Sequence, residues 1–193
     1  MKRVIIFFCI LIIVSGMSFA IDFTSFPSSI QPGNMFISGS FDMGNAELSF
    51  YESGFANIST NMFGFSIVFD YALDRYCLTV GAETGHSNGS FKIMFFNIDF
   101  GVLPIIGRLG YHPNLGVENL DVYALLKLGF AFGEAGNENR IGFGLGIGIG
   151  ARYFFMYNLG AFLELGTDNY NFKVEGGTII GRKIFSLGIT YKI

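Results

Sequence analysis

From residue 35 to its end the chain alternates apolar and polar positions with a period of two, the mark of strands whose two faces differ. In MFGFSIVFDYA, Phe63, Phe65, Ile67, Phe69 and Tyr71 share one face, while Gly64, Ser66, Val68 and Asp70 share the other. RYCLTVGAET sets Tyr76, Leu78, Val80 and Ala82 against Cys77, Thr79, Gly81 and Glu83. LDVYALLKLGFAF sets Leu120, Val122, Ala124, Leu126, Leu128, Phe130 and Phe132 against Asp121, Tyr123, Lys127 and Gly129. At the end, Phe185, Leu187, Ile189, Tyr191 and Ile193 oppose Ser186, Gly188, Thr190 and Lys192.

The strictest case is IGFGLGIGIGARYFF, with Gly142, Gly144, Gly146, Gly148 and Gly150 at consecutive even positions. A phosphate loop of the G-x-G-x-x-G type needs glycines of mixed parity, so that reading fails. A glycine-zipper helix fails on length. Only eleven uncharged residues separate Arg140 from Arg152, about half of the roughly 20 that span a bilayer. Period two accounts for every position, so the stretch reads as a strand with a bare glycine face.

Soluble strands run about five or six residues, whereas a tilted membrane-spanning strand needs roughly 9 to 11. The alternating runs here last 10 to 15 residues. They predict eight strands, at 34–43, 62–72, 75–85, 90–111, 119–132, 141–155, 158–167 and 184–193. In the fourth, Asn97 and Asp99 are placed inward in the first half and Arg108 in the second, at opposite parity. A bulge between Gly101 and Pro104 would absorb the extra residue. The alternative is a division of that run and ten strands, with part of 44–60 as another. Short turns near Leu73-Asp74 and Met156-Tyr157-Asn158, and a medium one at His112 to Glu118, alternate with longer polar connections at 44–61, 86–89, 133–140 and 168–183. An even count puts both termini and the short turns in the periplasm.

Composition explains where the apolar residues go. The chain is 51% hydrophobic and 14% charged, with 24 Phe and 27 Gly, yet it groups few helix formers. It opens with Lys2 and Arg3, an apolar run from Val4 to Val14 and a small-x-small ending at Ser18-Phe19-Ala20, the layout of a cleaved signal peptide. The expected organisation is therefore a signal peptide at 1–20, a periplasmic segment at 21–33 and a barrel domain at 34–193. The fold class is all-β: an eight-stranded antiparallel up-and-down transmembrane β-barrel whose apolar side faces lipid. Loss of the leader reduces 12 basic residues to ten against 15 acidic ones, a balance unsuited to nucleic acid. One cysteine, Cys77, remains, so no internal disulfide is expected. Tyr71, Tyr76, Tyr111, Tyr153 and Tyr191 share lipid-facing parity and flank the periplasmic ends, as an aromatic girdle would.

LPIIGRLGYHPN followed by LDVYALLKLGFAFG is similar to the proline-containing strand, turn and next strand of small OmpW-like porins. IGARYFFMYNLGAFLELG resembles the penultimate hairpin of OmpA/OmpX-like barrels, and the likeness covers roughly residues 90–193. The resemblance implies an outer-membrane barrel, lodged in outer-membrane lipid and inserted by the barrel-assembly machinery through its C-terminal strand. That strand ends in Ile193 where such barrels usually end in Phe.

The inward parity collects Asp70, Glu83, Asp99, Arg108, Lys127, Arg152 and Glu164. Acids and bases are mixed, so they can pair as a salt-bridge plug or form a charged gate. The glycines Gly142 to Gly150 leave room beside their strand for large neighbours such as Tyr123, Lys127 and Phe162, or else for a passage. Two functions follow: a narrow channel for small solutes, or a closed surface protein whose loops contact host molecules. Small lipid A deacylases place a His and a Ser two residues apart on the lipid face. His86-Ser87-Asn88 and His112-Pro113-Asn114 do not match. No catalytic residue, cofactor or metal is assigned; two histidines and one cysteine are too few for a usual ligand set.

Overall fold

A computed structural model describes residues 26–27, 29–50, 57–73, 77–93, 96–135, 138–174 and 177–193. The expected signal peptide and Tyr76 lie outside these residues. Eight strands follow one another in chain order: β1 (Met35–Phe50), β2 (Ile58–Ala72), β3 (Leu78–Ile93), β4 (Phe96–Tyr111), β5 (Leu120–Ala135), β6 (Glu138–Phe154), β7 (Leu159–Val174) and β8 (Gly177–Lys192). Each is antiparallel to its neighbours, and β8 returns to β1, closing the barrel. Closure leaves no free sheet edge, the condition for strands in lipid. The ladder is sealed at the base, where Met35 and Ile193 exchange backbone hydrogen bonds.

The strands are 15 to 17 residues long, well beyond the roughly 9 to 11 needed to span. Polar runs expected as loops are therefore mostly strand. Residues 86–89 lie inside β3, β1 continues to Phe50, β7 runs to Val174 and β8 begins at Gly177. Polarity misled because above the membrane both water and lipid head groups meet the outer wall, so an apolar outer face is no longer required. The run at 90–111 divides into the top of β3 and the whole of β4. This division adds no strands, because the neighbouring runs merge across it.

No bulge occurs at Gly101 to Pro104. Pairing of β4 with β3 keeps one register from Leu78↔Tyr111 to Ile93↔Phe96, with a gap between Thr84↔Ile105 and Ser87↔Val102 beside the proline, which has no N–H to give. Parity in β4 is thus continuous: Phe100, Val102, Pro104, Ile106 and Arg108 face in. Asp99 faces out and is exposed, correcting its inward placement.

The register does shift in β8. Met43 pairs with Phe185 but Gly44 with Lys183, and across the other edge Leu165 pairs with Phe185 but Asp168 with Lys183. Against β1 the residue absorbed is Ile184, and against β7 it stands opposite both Gly166 and Thr167. Below it Ser186 and Thr190 are buried; above it the buried set is Gly177, Ile179, Gly181 and Lys183. This reversal hid the upper half of β8 from a reading by period.

Outward side chains form an apolar belt that includes Phe65, Ile67, Ile105, Leu128, Phe130, Leu145, Ile147 and Ile189. Large apolar groups this exposed around a closed sheet have lipid as their solvent. Tyr71, Tyr153 and Tyr191 stand half-exposed at the base of the belt, and Tyr111 is partly buried there.

Candidate functional site

The lumen is built in three layers. At the mouth beside the start of β1 and the end of β8, the segment before β1 folds across the opening, with Pro27, Ser29 and Ile30 buried. Ile30 packs with Phe36, Ala72 and Phe154, and Phe26 lies against them. Lys192 Nζ donates to the Ser29 carbonyl at 3.0 Å and lies over the Phe154 ring, tying this segment to the end of β8.

Above it lies the charged layer. Inward parity on all eight strands delivers Asp42, Asp70, Glu83, Arg108, Asp121, Lys127, Arg152, Glu164, Asp168 and Lys183, all buried. Arg108 is the hub: Nε donates to Asp70 at 3.2 Å, one terminal nitrogen to Glu83 at 2.5 Å, the other to Glu164 at 2.5 Å. Lys127 reaches Glu83 and Asp168 at 3.0 Å each and Glu164 at 3.2 Å. Lys183 pairs with Glu83 and lies 3.3 Å from Asp168. Arg152 sits lower, 3.4 Å from Asp70 and 3.7 Å from Asp121, with its guanidinium 4.4 Å from the Phe36 ring centre. Six carboxylates thus face four permanent cations and His112. Each cation is shared, so the layer is cross-linked and not a set of separate pairs.

Of the seven charges expected inside, six meet in this network and Asp99 does not. Asp42, Asp121, Asp168, Lys183 and His112 join it unforeseen as site residues. His112 was read as a turn residue, yet it is buried. Its Nδ1 lies 2.7 Å from Asp121 and its Nε2 2.9 Å from the Thr79 hydroxyl, and its ring stacks on Tyr123. Continuing the inward parity of Arg108 and Gly110 by one step would have found it. Lys183 was concealed by the bulge. Cys77 is buried beneath the same mouth, with a φ of 54°.

The third layer is apolar. Ala46, Leu48, Met62, Phe91, Phe100, Val102, Ile106, Ala131, Tyr170, Phe172 and Ile179 fill the half of the barrel farthest from that mouth, with Phe91 and Phe100 stacked at 4.9 Å.

The glycines of β6 are occupied space. A methyl at Gly142 would lie 2.8 Å from the Phe172 ring, and one at Gly144 2.8 Å from Ile106 Cδ1. At Gly146 it would meet the Asp168 carboxylate, and at Gly150 the Tyr123 ring. Gly148 faces the backbone of Leu165 and Gly166. Phe162, expected among these neighbours, packs instead toward Gly188. Two pockets reach into the wall and lumen here, one beside Lys127 and Asp168 and one beside Phe100 and Phe172, each of about 10 Å³. Each holds no more than about one water.

The closed antiparallel barrel is similar in fold to Neisserial surface protein A. The two are 18% identical, with a TM-score of 0.56 over 83% of this chain and 99% of that one. This chain has the fold of the small outer-membrane β-barrels. OprG, an outer-membrane protein of Pseudomonas aeruginosa, is similar to the barrel too, at 14% identity and a TM-score of 0.52 over 84% and 97% of the two chains. No protein-family model matches the sequence, and no curated protein does.

Proposed function

We propose that this barrel is a closed surface protein that acts through its extracellular strand ends and does not conduct solutes. The observation that carries this reading is the lumen: an apolar mouth, a cross-linked charge layer and an apolar upper core lie in series. Eight strands enclose an interior that side chains can just fill, and here the β6 glycines admit the bulk of Phe172, Tyr170, Asp168 and Tyr123 from the two flanking strands. Burying so many charges is offset only by close pairing, and here each cation is shared between at least two carboxylates, which favours a static bolt over a solvated passage.

What remains accessible is the top. The strands stand roughly 12 to 15 Å clear of a belt about 25 Å tall, and there Lys92, Asn97, Asp99, Glu134, Asn139, Arg140 and Lys173 are exposed. Mixed charge and amides on a rigid stub suit contact with polar surface molecules.

Planar-bilayer recording of the folded barrel tests the proposal. Silence is expected from the wild type and from Arg152→Ala and Glu164→Ala. Discrete openings in the wild type, changed by either substitution, would overturn it in favour of a gated channel.

A further inference from the structure

His112 differs from the rest of the charge layer, because a histidine side chain ordinarily changes its charge between about pH 5 and 8. It follows the end of β4 at the mouth, buried, and its backbone N–H donates to the Cys77 carbonyl at 2.8 Å. From β5, an Asp121 oxygen lies 2.7 Å from Nδ1, a length typical of a charge-assisted bond. From β3, the Thr79 hydroxyl lies 2.9 Å from Nε2. A hydroxyl both donates and accepts, so it serves Nε2 with or without a proton there. The imidazole stacks on Tyr123 at 5.0 Å, and the Phe26 ring, on the segment before β1, lies 6.3 Å away.

These surroundings suit a cation. Six buried carboxylates face four permanent cations in the layer, and a buried charge without a partner is costly. Asp121 depends on His112 most directly. Its other cation, Arg152 of β6, stands 3.7 Å away and is shared with Asp70 of β2 at 3.4 Å. Arg152 also lies 5.3 Å from the centre of the Tyr123 ring, whose hydroxyl donates to Glu164 of β7 at 3.1 Å. Arg152 repels an imidazolium, but Asp121 touches both and offsets that repulsion.

We infer that His112 is a proton-operated latch on this mouth, whose charged ring holds Phe26 and Asp121 and whose neutral ring holds Phe26 less firmly. Aromatic faces attract a cation through their quadrupole, and a neutral imidazole forfeits that attraction. In mild acid, therefore, the segment before β1 is held down. As pH rises through the histidine range the charge is lost and the hold weakens. Lys192 stays on the Ser29 carbonyl, and the Gly33 N–H stays on that of Ala72. The segment thus loosens without leaving, and the layers above it stay shut. The inference does not depend on whether the lumen conducts.

The test reads how often the segment lifts. Ile30 is buried in the mouth and Gln31 beside it is exposed. Maleimide labelling of Ile30→Cys relative to Gln31→Cys, in the folded barrel in lipid vesicles, therefore cancels the pH dependence of the thiol itself. The ratio should rise roughly twofold to fivefold from about pH 5.5 to about pH 8, the loss of one ordinary cation–aromatic contact. In His112→Gln it should be flat. Asp121→Asn should move the midpoint to lower pH, because the imidazolium loses its anion. The unheated barrel's shift on gels confirms folding. Phe26→Leu, which keeps the segment apolar, serves if His112→Gln does not fold, and it should be flat as well. A ratio indifferent to pH, or one that rises equally in His112→Gln or Phe26→Leu, would overturn the latch. So would labelling of the buried Cys77 in step with Ile30→Cys, which would assign the change to opening of the barrel wall.

Discussion

Glu83 touches more cations than any other carboxylate in the lumen: Arg108, Lys127 and Lys183. Its side chain is fully buried, so neutralising it leaves three cations competing for the rest of the layer. Breaking a buried ion pair from one side costs about 3 to 5 kcal/mol, and that is the loss expected for Glu83→Gln in urea unfolding of the barrel in lipid vesicles. Asp99→Asn, on the exposed outer wall, should change stability by less than about 0.5 kcal/mol. The contrast also separates two residues that alternation alone had assigned to the same face. Residue identity and parity were legible wherever one strand kept one phase, as with Asp70, Glu83, Lys127, Arg152 and Glu164. They failed at Asp99, because it was joined to Arg108 through a supposed bulge, and at Lys183, because a real one intervened. His112 failed for another reason: a strand end that buries its last side chain looks, in sequence, like the start of a turn.

At the scale of the element, β6 shows how a strand can be specified by what it omits. Its lumen face has no side chains from Gly142 to Gly150, so β5 and β7 supply the bulk instead. Adding even one carbon at Gly150 collides with the Tyr123 ring, and overpacking of this kind costs about 1 to 3 kcal/mol. Gly39 is the control, since it faces out from β1 with nothing within 4 Å of an added methyl. Gly150→Ala should lower the urea midpoint of the refolded barrel, and Gly39→Ala should leave it in place. The number of strands, their order and the lipid-facing row were readable from periodicity. Their upper limits were not, because hydrophobicity marks only the part of a strand that lipid touches, and hydrogen bonding carries the sheet some way past it.

For the whole molecule, the three lumen layers act in series. Opening one leaves two. Deletion of residues 21–33 removes Ile30 and the Ser29 carbonyl from the mouth, yet the charge layer and the upper core remain. Proteoliposomes carrying the truncated barrel should therefore exclude small sugars as the full barrel does, and swelling in arabinose would show that the mouth was the only seal. The same arrangement divides labour by height: the belt fixes the barrel in lipid, the charge layer fixes its cross-section, and the exposed strand ends are left to vary.

The extra residue at Ile184 has a reach beyond its own position. Plain alternation through Ile184 would send Lys183 toward lipid and Arg182 toward the lumen, because Ser186 below it is fixed inside. Setting Ile184 and Phe185 next to each other on the outer face reverses that, so the lumen receives a lysine it would otherwise lack. Loss of Ile184 alone would leave both cations where they are, since Lys183 would then follow Phe185 in plain alternation; a lineage could shed the bulge by deletion and keep its interior charge.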